Sequence, residues 1–193
     1  MKKEIFIEAY TKATNDNFEI LSPFIEHDLT VLLDLKSIKF EIINCLMINQ
    51  YQASITIINH LLERGLKLAL IYNEVGIGSI PIEEWGTKFH KPNKDYGDKD
   101  LYNSIEICRN RDLITEAEEK NLKNNIREQF RNGFSHSDMN KILKEVPRTG
   151  SFFAGKFSDI NAIQKIELPQ TEIPFMQSIM QSEFAKQKCP FLF

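Results

Sequence analysis

The chain of 193 residues has three cysteines, Cys45, Cys108 and Cys189, widely spaced and without a CxxC pair. An odd, scattered set of this kind excludes a disulfide framework and fits a reducing compartment, so a cytoplasmic protein is expected. Long apolar runs are also missing. The densest, IINCLMI at 42–48, is far short of the roughly 20 residues that cross a bilayer. No continuous apolar stretch follows Lys2 and Lys3, so no signal peptide is expected. Neither membrane partner nor secretion is indicated.

Several kinds of site are absent too. GIGS at 76–79 lacks the preceding strand, the third glycine and the lysine that a phosphate-cradling loop requires. There is no HExxH, and His27, His60, His90 and His136 show no metal-ligand spacing. Neither metal nor cofactor is expected. A formal charge of −3 argues against a protein that binds polyanions over its whole surface, and leaves a local basic face open.

What is present is helical periodicity. Leu35, Ile38, Ile42 and Leu46 recur at three and four residues and predict a helix over 29–48, with Val31, Leu32, Ile43 and Met47 widening its buried face. Ser22-Pro23 suits a boundary before it, and 2–19 suits a further amphipathic helix. A second helix over 52–74 is apolar on more than half its circumference and belongs at the centre of a bundle. Glu63 and Lys67 are spaced to pair on it, and His60 is expected to be a hydrogen-bonded core residue. Residues 77–100, rich in Gly, Pro, Asp and Lys, suggest a long connection with at most a helical turn near Glu83–Trp85. A short helix over 101–109 ends at Asn110-Arg111-Asp112.

Thr115 followed by Glu118 is a capping-box pattern that opens the next helix. Leu122, Ile126 and Phe130 form an apolar stripe on it, and Lys120, Lys123, Arg127 and Arg131 a basic one. Acidic neighbours Glu116, Glu119 and Glu128 make an ordinary solvated face an equal reading of that stripe. A short helix over 138–145, capped by Ser137 or Asp138, and a final one over 174–188 complete the chain. Residues 165–168 suit a short extended piece. The expected architecture is a single all-α domain, a bundle of four or five main helices with a long irregular connection.

The chemistry concentrates in Arg131-Asn132-Gly133-Phe134-Ser135-His136. Ser135, His136 and Asp138 are too close in sequence for a hydrolytic triad, which is assembled from distant segments. The bland reading is a helix break with a surface arginine. The sharper one is cleavage of RNA without a metal: a histidine moves the 2′-hydroxyl proton, and a guanidinium holds the charge gathering on the phosphorane oxygens. Asn132 suits either holding the scissile phosphate or orienting the imidazole. On an unbroken helix residues five apart diverge by roughly 140°. Convergence of Arg131 and His136 therefore requires a break, which Gly133 is placed to give.

This stretch resembles the R-x(4–6)-H motif of the HEPN superfamily, with Asn132 at its polar position. The resemblance covers roughly 28–146 and leaves 147–193 as a C-terminal extension. It implies an endoribonuclease in stress response or phage defence, with Arg131, Asn132 and His136 catalytic and Lys120, Lys123 and Arg127 guiding the RNA backbone. DNA, lacking the 2′-hydroxyl, would be inert. It also implies a homodimer in which two motifs line one cleft, and it admits a regulatory partner such as an antitoxin. Members paired with a nucleotidyltransferase often carry a tyrosine where this chain has Asp138, which disfavours that type. Other members are non-catalytic modules that bind nucleotide, RNA or protein, and that alternative stays open.

Overall fold

The computed structural model describes residues 2–27, 29, 32–136, 138–155 and 163–192. Its helices are α1 (Lys3–Glu26), α2 (Lys36–Met47), α3 (Tyr51–Val75), α4 (Ile82–Tyr96), α5 (Leu101–Asn110), α6 (Glu116–Asn121), α7 (Gly133–Ser135), α8 (Met139–Ile142) and α9 (Pro174–Leu192). A 3-10 turn, Leu33–Leu35, leads into α2, and a π-helix, Leu122–Asn132, joins α6 to α7. Strands β1 (Gly150–Ala154) and β2 (Gln164–Leu168) form an antiparallel ribbon in which Phe152 pairs with Ile166. The described chain is mostly helical, as the periodicity predicts, and β2 contains the expected extended piece.

The central helix is α3, because it supplies two apolar clusters from its two halves. Ile55 and Ile58 pack with Leu21 of α1, Ile42, Ile43 and Leu46 of α2, Phe130, Ile142 of α8, and Phe184, Ala185 and Cys189 of α9. Leu66, Leu70 and Ile71 pack with Tyr96, Leu101, Ile105 and Cys108. Each fully buried Leu or Ile of this kind contributes about 1.5–3 kcal/mol. α9 is therefore part of the same core as α2 and α3. Burial pushes the Cys108 and Cys189 thiols up to about 11, which leaves them inert packing groups. Glu63 and Lys67 pair at 2.9 Å as their spacing predicts.

Four expectations are corrected. The helix expected over 29–48 begins later, since Leu32 takes a left-handed conformation (φ 63°) and only then does the chain wind up; Val31 lies outside the described residues. Pro23 does not form a boundary. α1 runs through it, because a proline so near the end removes a single helical bond, and His27 N–H still donates to the Pro23 carbonyl at 3.0 Å. His60 is exposed rather than a core residue.

The long connection is mostly helix. Pro81 precedes it, Glu83 and Glu84 lie in its positive first turn, and Trp85, Phe89, Pro92 and Tyr96 recur at four, three and four residues. Tyr96 is buried and its hydroxyl donates to Glu74 Oε2 at 2.7 Å, which fastens α4 to the end of α3. Trp85 is half-exposed, and its indole N–H donates to the Ile80 carbonyl at 2.9 Å as a local anchor.

Candidate active site

Thr115 starts the helix that carries the motif. Its hydroxyl accepts the Glu118 N–H at 3.2 Å while its own N–H donates to Glu118 Oε2 at 2.7 Å, the reciprocal pair the sequence predicts. From Leu122 the winding loosens to i→i+5 and stays so through Asn132. The far end is pinned by aromatic packing. Phe130 is buried, 5.9 Å from the Phe184 ring and 6.4 Å from Phe134. Gln129, also buried, donates to the Ile142 carbonyl at 3.3 Å.

Gly133 does not break the helix, contrary to expectation. It has helical dihedrals (φ −60°, ψ −58°), and α7 continues to Ser135. Its lack of a side chain serves packing instead. A Cβ there would lie 2.9 Å from Ile142 Cγ1, and Ile142 is fully buried. Gly133→Ala is expected to destabilise by about 1–3 kcal/mol in denaturant unfolding. The better helix propensity of alanine, worth about 1 kcal/mol, offsets only part of the overpacking. In an Ile142→Ala background the same substitution should be neutral or stabilising, because the clashing atom is gone.

The polar groups form a chain. Arg131 Nη1 donates to Asn132 Oδ1 at 3.0 Å, and Asn132 Nδ2 donates to Glu128 Oε1 at 3.2 Å. Glu128 also pairs with Arg127 and, through Oε2, with Lys141 Nζ at 3.3 Å. Partial burial pushes the Glu128 carboxyl up, but Lys141, Asn132 and Arg127 outweigh that and hold it below the ordinary range. Asn132 is buried and Arg131 half-buried, so the guanidinium is oriented from beneath.

His136 stands apart from this chain. Its backbone N–H closes the helix on the Asn132 carbonyl at 3.2 Å, and its exposed imidazole pairs with none of the described residues. The path from Arg131 to Ser135 is helical, and among the described residues no hydrogen bond or ion pair joins Arg131 to His136. Asp138 is occupied as the N-cap of α8, accepting from Asn140 N at 3.1 Å and Lys141 N at 3.4 Å; Ser137 lies outside the described residues.

Three of the four cations of the basic stripe, Lys120, Lys123 and Arg127, are paired with carboxylates. Lys120 pairs with Glu116 at 2.6 Å, and Lys123 with Glu119 at 2.8 Å and Glu106 at 3.1 Å. The Glu119 carboxylate, with Glu106, pushes the Lys123 ammonium well above its usual range. Lys123 and Arg127 also lie over the Tyr102 ring, at 4.5 and 5.0 Å from its centroid. Sequence reasoning missed Tyr102 and Lys141, which come from α5 and α8. It also missed Glu128 as the support of Asn132, although their spacing of four residues was a legible signal.

Compared with protein-family models, with curated proteins and with solved structures, the chain matches none. Among the described residues no group of three or more His, Cys, Asp or Glu is placed to hold a metal ion, and no helix is long and apolar enough to cross a membrane. Two cavities, of about 730 and 540 Å³, are lined by none of the motif residues.

Proposed function

We propose that this protein is a HEPN-type endoribonuclease that cleaves RNA by attack of the substrate's 2′-hydroxyl, and that it works as a homodimer. The observation carrying this reading is the Arg131–Asn132–Glu128 chain. It holds a guanidinium in a fixed direction near the end of a helix closed by His136, which is exposed and pairs with none of the described residues. A guanidinium anchored in this way can offer its remaining N–H groups to phosphate oxygens, and an exposed imidazole can exchange protons near neutral pH. With the helix unbroken at Gly133, each site in this reading joins Arg131 of one copy to His136 of the other.

Single-stranded RNA incubated with the protein and a chelator tests this. The expected products carry 2′,3′-cyclic phosphate ends. Arg131→Ala and His136→Ala should each lower the rate by about a hundredfold or more, consistent with the loss of a charge stabiliser or a proton-transfer group. Cleavage undiminished in His136→Ala would remove the mechanism.

A second reading is a non-catalytic helical module that binds a nucleotide, RNA or a protein through the same face. The pairing of Lys120, Lys123 and Arg127 with carboxylates favours a protein ligand within this reading, since a phosphate backbone would have to displace those partners. RNA binding without cleavage in the same experiment would select this reading.

A further inference from the structure

The larger cavity, of about 730 Å³, lies where the second half of α3 meets the 3-10 turn, the chain at 77–80 and α4. Its volume falls within the roughly 300–1,000 Å³ of small-molecule sites. The walls are held from several sides. The Tyr96–Glu74 bond fastens α4 to α3, and the Phe89 ring meets Tyr72 edge-on at 5.9 Å between centroids. Trp85 is 51% exposed, yet its indole N–H is already spent on the Ile80 carbonyl, so the ring is fixed while it lines an open space.

Two charges of opposite sign line this cavity, and neither has a partner among the described residues. The chain has six arginines. Arg109, Arg111, Arg127, Arg131 and Arg148 are each held by a carboxylate, amide or hydroxyl, whereas the Arg64 guanidinium bonds to no described residue. The Asp34 carboxylate has no described partner either. The chain brings both to the same end of the cavity. Leu35, which follows Asp34, reaches to 3.7 Å from the place a Cβ on Gly65 would take, and Gly65 follows Arg64.

Away from this end the lining is apolar. Leu68 and Tyr72 succeed Arg64 at one and two turns of α3, so the cavity runs roughly 12 Å from the charges to the rings of Tyr72, Phe89 and Trp85. The matching ligand carries both signs of charge at one end and an apolar body at the other. A simple organic anion would satisfy Arg64 and set Asp34 against a like charge, and a simple cation would do the reverse. An amino acid with a large apolar side chain satisfies both. The guanidinium fork takes its carboxylate through two directed N–H bonds, Asp34 accepts from its ammonium group, and an aromatic side chain finds ring partners beyond. Unlike the basic stripe, this site asks for no ion pair to be broken on binding.

We propose that the cavity bounded by α3, α4 and the 3-10 turn binds a free apolar amino acid, held by Arg64 at its carboxylate and by Asp34 at its ammonium group. The site is separate from the motif face and does not rest on the ribonuclease reading.

Trp85 is the single tryptophan of the chain, so its fluorescence reports on this cavity alone. L-Phenylalanine titrated into the full chain should change that signal saturably, and equilibrium dialysis of the same probe should return the same Kd. Phenylpropionate and phenylethylamine keep the ring with one charge each. Both should bind about tenfold more weakly or worse, as expected for the loss of one charge-assisted hydrogen bond. In Arg64→Gln the advantage of phenylalanine over phenylethylamine should vanish while its advantage over phenylpropionate remains, and Asp34→Asn should do the reverse. Both positions are exposed, so helical content should not change. An absence of saturable phenylalanine binding by dialysis would overturn the proposal, as would binding indifferent to both variants. Phenylpropionate binding as tightly as phenylalanine, undiminished in Asp34→Asn, would overturn it in favour of a site for simple carboxylates.

Discussion

Under the proposed function, heterodimers of Arg131→Ala and His136→Ala chains should recover RNA cleavage that both variants lack on their own. An equal mixture allowed to exchange subunits reaches about a quarter of the wild-type rate, because half the dimers are mixed and each mixed dimer holds one intact site of two. The reason lies in the course of the helix from Arg131 to His136. With Gly133 helical, no break brings the two groups back toward each other, and under the proposed function an intact pair takes its arginine from one chain and its histidine from the other. A mixed dimer then contains one site missing both groups and one site missing neither. If each site were built within one chain, every site in the mixture would lack one group and no activity would return. The measurement is initial rate on single-stranded RNA against the fraction of each variant, and a flat baseline across all mixtures would reject composite sites.

Phe130→Ala is expected to cost about 3–5 kcal/mol in denaturant unfolding, a large share of the 5–15 kcal/mol that holds a typical domain together. Phe130 ends the apolar stripe of the motif helix and is only 5% exposed. Its ring lies against both Phe134 and Phe184, so its removal opens a cavity between the motif and α9 and loosens both. Arg131 and Asn132 follow it directly, and their geometry depends on that end of the helix staying put. A Phe130→Leu variant, which keeps much of the volume, should recover most of the loss. A cost below about 1 kcal/mol for the alanine variant would mean that the three rings do not form one packed unit.

Strong periodicity made the inner helices legible. Leu35, in the turn before α2, and Ile38, Ile42 and Leu46 within it mark one apolar face, and α3 is placed at the centre by its apolar circumference. α4 was hidden because its composition was read before its spacing. Trp85, Phe89, Pro92 and Tyr96 keep a helical interval through residues that usually signal a loop, and a proline at the eleventh residue of the helix suggests an end. Gly133 shows a different limit. Whether a glycine supplies a turn or a gap depends on what stands opposite, and Ile142 is supplied by a segment whose approach no local pattern announces. The same holds for the basic stripe, whose charge was visible while one of its neutralising partners, Glu106 on α5, was not.

The π-helix between Leu122 and Asn132 carries a consequence of its own. Closing each ring over five residues instead of four fits more chain into each turn than an α-helix holds. The capped start at Thr115 and the packed end at Phe130 act as two fixed posts, and the wider coil is slack stored between them. Deleting one residue from that span takes up slack by rewinding toward an α-helix, where the same deletion in α3 would turn every later side chain to another face. The length of this segment is thus a dimension of the motif helix that a one-residue deletion should shorten while leaving both of its ends in place.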